Sequence, residues 1–179
     1  MRAGLTALAL ALALPALALA EDRMHPITQQ TAGAWSFLSD RVMGGVSQGG
    51  VAYGQEDGTG FLRLTGDVST ANRGGFLQIR RDMIPPAGAT GIMLRVRGNG
   101  ARYYVHLRTS GVKMPWQFYQ APFDTTADWQ EIRIPFDTFR PSGGFQRQRL
   151  RPETVRSVGI AAYGADYHAD LSVAGVGFY

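Results

Sequence analysis

Arg95 and Arg97, then Tyr104, His106 and Arg108, stand two apart in neighbouring stretches whose intervening residues are apolar. Guanidinium forks hold carboxylates and phosphates through paired hydrogen bonds, and a tyrosine or histidine beside them can move a proton. Alternation with period two places such residues on one side of a strand. The Gly98-Asn99-Gly100 turn reads as a hairpin, which would put all five on one surface, with Tyr119 extending it. Two chemistries follow. One is recognition of an anionic or sugar-like ligand. The other is a polysaccharide lyase, in which an arginine neutralises a uronate carboxylate while tyrosine or histidine takes the proton. The glutamine–histidine and lysine-bearing strand motifs of alginate lyases are missing, so binding is the expected chemistry.

Other constellations are thinner. Asp166, His168 and Asp170 form a D-x-H-x-D run, a weak candidate metal set, although alternation of this kind more often marks a solvated strand face. Asp124, Asp128, Glu131 and Asp137 surround Trp129 like a glycosidase pair, but turn aspartates usually cap their own backbone, and these are read as structural. There is no H-E-x-x-H motif and no cysteine, and the glycine-rich stretches do not stand between a strand and a helix. No nucleophile elbow, metal site or cofactor is expected.

The elements that must position these residues are strands. Runs over 60–65, 75–81, 91–97, 102–108, 115–120, 130–135, 157–163 and 171–178 are short, β-branched or aromatic on one face, and bounded by Gly, Asn, Asp or Pro. No window holds an apolar period of 3.6 residues. Eight closely spaced strands without crossover helices predict an all-β, antiparallel two-sheet jelly-roll sandwich. Its expected core contains Trp35, Phe61, Phe76, Leu94, Val105, Ile132, Ile134, Ile160 and Phe178. Residues 140–151 read as a long loop.

Residues 1–20 carry a positive start at Arg2, a Leu/Ala-rich run and Ala18-Leu19-Ala20, the pattern of a cleavable secretory signal peptide. Residues 21–33 read as a polar lead-in and 34–179 as the domain, periplasmic or secreted, with no transmembrane segment after cleavage. Without cysteine, its core alone must hold it. The chain has 18 basic and 14 acidic residues, a net charge of +4 that falls by one with Arg2, and no dense basic run; a nucleic-acid partner is not expected. Lys113 is its only lysine.

Four stretches carry a resemblance. They are Trp35 with the D-R-x-M-G-G-x-S block (Asp40, Arg41, Met43, Gly44, Gly45, Ser47); Gly66-Asp67-Val68-Ser69 leading to Asn72-Arg73-Gly74-Gly75-Phe76; 91–100 with Tyr103; and Trp129 leading to Ile134-Pro135-Phe136 and Phe139. Their order and spacing resemble the complex I intermediate-associated protein family, the thirty-kilodalton class, over nearly the whole domain. The resemblance implies a galactose-binding-like jelly roll, akin to carbohydrate-binding modules. It also implies a non-catalytic assembly role for NADH:ubiquinone oxidoreductase, that is, a chaperone-like domain with a protein or acidic glycan partner. The residues themselves read as structure first: Gly44 and Gly45 for the backbone, Met43 and Val46 flanking the core, Asp40 or Ser47 capping local amides. The alternative is a partner-docking surface loop. The signal peptide departs from the family's matrix-side role and favours a periplasmic binding or assembly module.

Overall fold

The computed structural model describes residues 23–112, 114–144 and 146–179. Residues 1–20, the expected signal peptide, lie outside them. Among the described residues twelve strands run in order: β1 (Arg23–Pro26), β2 (Ser36–Ser39), β3 (Gln48–Glu56), β4 (Thr59–Val68), β5 (Phe76–Asp82), β6 (Gly91–Gly98), β7 (Arg102–Thr109), β8 (Tyr119–Asp124), β9 (Gln130–Pro135), β10 (Arg140–Pro141), β11 (Val155–Tyr163) and β12 (Tyr167–Phe178). They form two antiparallel sheets. The first has the order β3-β4-β12-β6-β9, with β1 added beside β12; the second has the order β10-β8-β7-β11-β5-β2. This is the all-β two-sheet sandwich that the strand pattern predicts.

Period-two alternation builds the core. Ile92, Leu94 and Val96 of β6 meet Tyr103, Val105 and Leu107 of β7 and Val158, Ile160 and Ala162 of β11 between the sheets, all of them buried. Most of the expected core residues are buried there. Ile132 is only partly buried, at the edge strand β9, and Phe76 points out of the second sheet instead of into the core.

The polar lead-in is part of the sandwich from Arg23 onward. β1 pairs with the end of β12 from Arg23↔Phe178 to Pro26↔Gly175, and Ile27 enters the core at 2% exposure. A single helical turn, α1 (Gln29–Ala32), follows; Thr28 and Thr31 close its N-terminus by a reciprocal capping box. Among the described residues no helix is long and apolar enough to cross a membrane.

Several boundaries move: β4 runs on to Val68, β12 begins at Tyr167, and β2 and β3 fall outside the expected strands. The strand expected at 115–120 begins only at Tyr119, because 114–118 folds over the second sheet, and the long loop 140–151 starts with the two-residue strand β10. The 98–100 link is not a hairpin. β6 and β7 belong to different sheets, and the link carries the chain between them, with the Gly98 amide donating to the Thr126 carbonyl and the Asn99 amide to the Asp170 carbonyl. A Cβ at Gly98 would lie 2.6 Å from the Thr125 hydroxyl, so the corner requires glycine.

Ile160, fully buried on the central strand of the second sheet, should cost about 2–5 kcal/mol when changed to Ala. Ile84→Ala, at a residue 64% exposed, should change stability by no more than about 0.5 kcal/mol. Urea unfolding of the two variants checks this; equal losses would contradict the placement of the core.

Candidate functional site

The crossover divides the surface that alternation assembles. Arg95 and Arg97 project from the first sheet; Tyr104, His106 and Arg108 project from the outer face of the second, with the core between them. Arg97 is engaged where it stands: it pairs with Glu56 at 2.5 Å and lies over the rings of Trp129 and Phe61 at 4.7 and 5.4 Å. Tyr119 opposes Leu107 in register and therefore faces inward; it is buried and donates its hydroxyl to the Arg147 carbonyl. The weak metal set is dispersed as well. Asp166 accepts from the Thr70 amide and hydroxyl, His168 Nδ1 lies 2.7 Å from Asp67, and Asp170 holds Arg63 through two bonds of 2.8 and 2.6 Å.

The outer face of the second sheet keeps a groove of about 320 Å³. Its floor is made where β11 presents only Gly159 and Ala161 between the larger side chains of β7 and β5. His106 lies on one side of that strand; Gln78 and Arg80 lie on the other. The Gln78 side-chain nitrogen is 3.0 Å from His106 Nδ1; with the amide as donor, the imidazole proton sits on Nε2. Gln78 fills the space above Gly159, where an added Cβ would come within 2.3 Å of it.

Phe118 stacks on His106 with centroids 4.0 Å apart, and Tyr163 meets the imidazole edge-on at 5.0 Å. Burial pushes the His106 pKa down to about 3, so the ring is neutral at ordinary pH. Its Nε2 and the Oε1 of Gln120, its register partner on β8, are both buried without a partner.

One wall is the 114–118 segment. Arg108 donates to the carbonyls of Pro115 and Met114 at 2.9 and 3.3 Å, and Ser142 accepts from the Phe118 amide while donating to the Trp116 carbonyl. The opposite rim is Val42 and Met43, exposed at 73% and 49%, with Arg73 beside them.

That rim hangs on a buried carboxylate. Asp40 is fully buried and accepts from the Ser47 amide (3.0 Å), the Ser47 hydroxyl (2.5 Å) and the Gly75 and Phe76 amides (2.6 and 3.4 Å). Burial pushes its pKa up, and the bonds from Ser47, Gly75 and Phe76 outweigh it, leaving the carboxyl below its ordinary value. Ser47 also accepts from the Ser69 amide. A Cβ on Gly45 or Gly74 would lie 2.3–2.4 Å from atoms of the Asp40 side chain, and Gly44 caps the 3-10 turn Asp40–Met43 at φ 87°.

The expected docking loop is thus two things. Asp40, Gly44, Gly45 and Ser47 form a latch; Arg41 and Met43 are exposed at its tip. Met43 and Val46 do not flank the core, because the latch turns them outward.

Sequence reasoning missed Val42, Arg73, Gln78, Arg80, Trp116, Phe118 and Tyr163 as groove residues. The alternation of Phe76, Gln78 and Arg80 was the available signal. It also passed over a G-x-S-x-G run, Gly45-Val46-Ser47-Gln48-Gly49. Ser47 is no nucleophile: it is buried, bonded to Asp40, and follows a 3-10 turn instead of joining a strand to a helix. A larger hollow of about 910 Å³ lies among Phe136, Phe139, Leu150 and Tyr179, but its Arg140 already donates to backbone carbonyls, and no buried polar atom without a partner lies among its lining residues.

The family model of complex I intermediate-associated protein 30 matches residues 25–172. A stretch of 77 residues is 34% identical to the Arabidopsis thaliana chloroplastic protein High Chlorophyll Fluorescence Phenotype 173. It takes in 38% of this chain and 13% of that one, so the match spans a small part of that relative's length. Among solved structures, the family 11 carbohydrate-binding module of a cellulosomal cellulase of Clostridium thermocellum superposes with a TM-score of 0.69. The identity is 12%, over 88% of this chain and 93% of the module. The family 11 module of the same organism in complex with a β-1,3-1,4-mixed-linked tetrasaccharide gives 0.67 at 12%, over 87% and 94%. At such identity the likeness establishes the galactose-binding-like jelly roll and no ligand.

Two titrations should separate the latch from the floor. His106 has a folded pKa below its ordinary 6.5, so the unfolded chain takes the proton first, and stability should fall as pH drops from about 6.5 toward 3. Asp40 contributes fully above its ordinary 3.8 and loses its contribution as pH falls through its lower folded value. In urea unfolding at stepped pH, His106→Gln should flatten the slope between pH 6.5 and 4. Asp40→Asn should cost about 3 kcal/mol at pH 7, because it puts an amide group among four donors. Slopes unchanged by His106→Gln, or an Asp40→Asn protein of wild-type stability, would contradict these assignments.

Proposed function

Because this chain belongs to the complex I intermediate-associated protein 30 family, we propose that it is a non-catalytic binding module of the assembly-factor type. It seats a partner protein in the groove on the second sheet. The observation that carries this reading is the groove itself: a preformed concave surface with exposed apolar side chains on both rims and arginines within it, on a rigid sheet. Apolar rims and arginine are what protein recognition surfaces use.

We further propose that export, directed by residues 1–20, places the module in the cell envelope, with Glu21 as the mature N-terminus. The assembly role would then act on the envelope side of the membrane.

A second reading has one observation in its favour, since Tyr104, His106 and Arg108 do share the outer face of the second sheet. A lyase needs a base that reaches the substrate and titrates near neutrality. His106 is covered by Phe118 and held neutral by burial, and among the groove-lining residues there is no carboxylate to serve instead. Binding is therefore the better account of the same residues.

Photo-crosslinking in the living cell tests the reading. With p-benzoylphenylalanine in place of Trp116, the adduct should contain a defined subunit or assembly intermediate of a respiratory complex; the same group in place of Arg63, on the opposite face, should give none. Adducts from position 63 alone, or formation of unsaturated products from alginate, pectin or hyaluronan, would overturn it. Intact-mass measurement of the exported protein should give a chain beginning at Glu21; a mature protein retaining residues 1–20 would refute the export proposal.

A further inference from the structure

Arg73, Arg80 and Arg108 line the groove, and among its described lining residues there is no Asp or Glu; Asp82, two residues from Arg80 and across β11 from Arg108 in register, stands beyond the lining. On other surfaces five arginines take carboxylates, Arg63 with Asp170, Arg97 with Glu56, Arg102 with Asp124, Arg133 with Glu131 and Arg151 with Glu153, while Arg140 and Arg156 donate to backbone carbonyls. Among the described residues, Arg108 donates to the neutral carbonyls of Pro115 and Met114, and no ion pair or hydrogen bond engages the Arg80 side chain. The two guanidinium groups also disfavour one another: burial first, and then the charge of Arg80, hold the Arg108 pKa below its ordinary value. Like charges brought this close are relieved by an anion between or beside them.

The neutral floor sharpens the chemistry. His106 is 5% exposed and lines the groove, and its Nε2 has no partner; with Nδ1 accepting from Gln78, Nε2 is a donor. Donors therefore outnumber acceptors among the lining side chains. The hydroxyl of Ser142 is taken by Trp116 and Phe118, and the amide nitrogen of Gln78 by His106. A sugar brings many hydroxyl donors that would need acceptors here. A carboxylate brings acceptors only, which is the complement of the groove's arginine N–H groups. The rims of Val42, Met43 and Trp116 present exposed apolar surface that suits large apolar side chains next to the acid.

We propose that the groove recognises an acidic residue, Asp or Glu, flanked by large apolar residues in an extended segment of the partner protein. Arg80 and Arg108 receive the carboxylate, and the rims receive its neighbours. This rests on the groove being the docking site, and it names the chemistry of what docks there.

The test uses the whole exported chain, labelled with nitrogen-15, and three probes. Two are acetylated, amidated pentapeptides, Ala-Leu-Glu-Phe-Ala and the same peptide with Gln for Glu; the third is trigalacturonate. The Glu peptide should shift the amide signals of His106, Gly159 and Ala161 saturably and bind at least about tenfold more tightly than the Gln peptide. Arg80→Gln should erase that preference. Arg95→Gln, on the opposite face, should keep it. Equal binding of the two peptides, a preference indifferent to Arg80→Gln, or tighter binding of trigalacturonate than of the Glu peptide would overturn the proposal. The crosslink from position 116 reports groove occupancy whatever the charge of the partner, so an adduct there with no peptide preference would sink the acidic segment and leave the docking site standing.

Discussion

A single buried carboxylate organises the face on which the groove lies. Asp40 lies in the 3-10 turn after β2, yet two of its four hydrogen bonds come from residues 35 and 36 positions later, at the start of β5. An ionised carboxylate removed from water is costly unless its lone pairs are filled, and here amides and a hydroxyl fill them. The arrangement leaves room for nothing larger than glycine at positions 45 and 74, because their missing side chains are the space that the Asp40 side chain occupies. Two glycine-rich blocks far apart in the chain are thereby one object. What projects from that object, Val42, Met43 and Arg73, is the rim of the groove.

The second constraint is the placement of small residues on β11. A strand central to its sheet normally carries bulk on both faces, and Val158, Ile160 and Ala162 supply it inward. Outward, Gly159 and Ala161 leave a trough between β7 and β5. Gln78 leans into the trough far enough to bond His106, which fixes a ring that would otherwise be free to turn. Phe118 then closes over that ring, so the polar floor and the aromatic wall hold each other in place.

Period-two alternation is local, and the sequence carried it well: within β6 and within β7 the inward and outward residues are the ones that the pattern assigns. Which strand pairs with which is not local. Gly98-Asn99-Gly100 has the composition of a hairpin turn, and only the distant Asp170 and Thr126 carbonyls that its amides reach make it a corner between sheets. The same limit explains Tyr119, whose facing depends on where β8 begins, and Phe76, whose apolar type suggests the core although the bonds from the Gly75 and Phe76 amides to Asp40 set the strand that turns it outward. The polar residues 23–26 hid a strand for a related reason, since β1 pairs with residues 175–178 of β12, far away in the sequence.

The latch and the groove are also joined through charge. Asp40 stands behind the rim, and Gly74, which lines the groove, is packed against its carboxylate. Its oxygens are occupied by backbone amides and Ser47, so it forms no ion pair with Arg73, Arg80 or Arg108. Without those bonds the rim would lose what ties it to the start of β5, because the Gly75 and Phe76 amides are held by the same carboxylate as Ser47. Burying it does two things at once. It shapes the rim, and it keeps the Asp40 oxygens on amides and a hydroxyl instead of on an arginine.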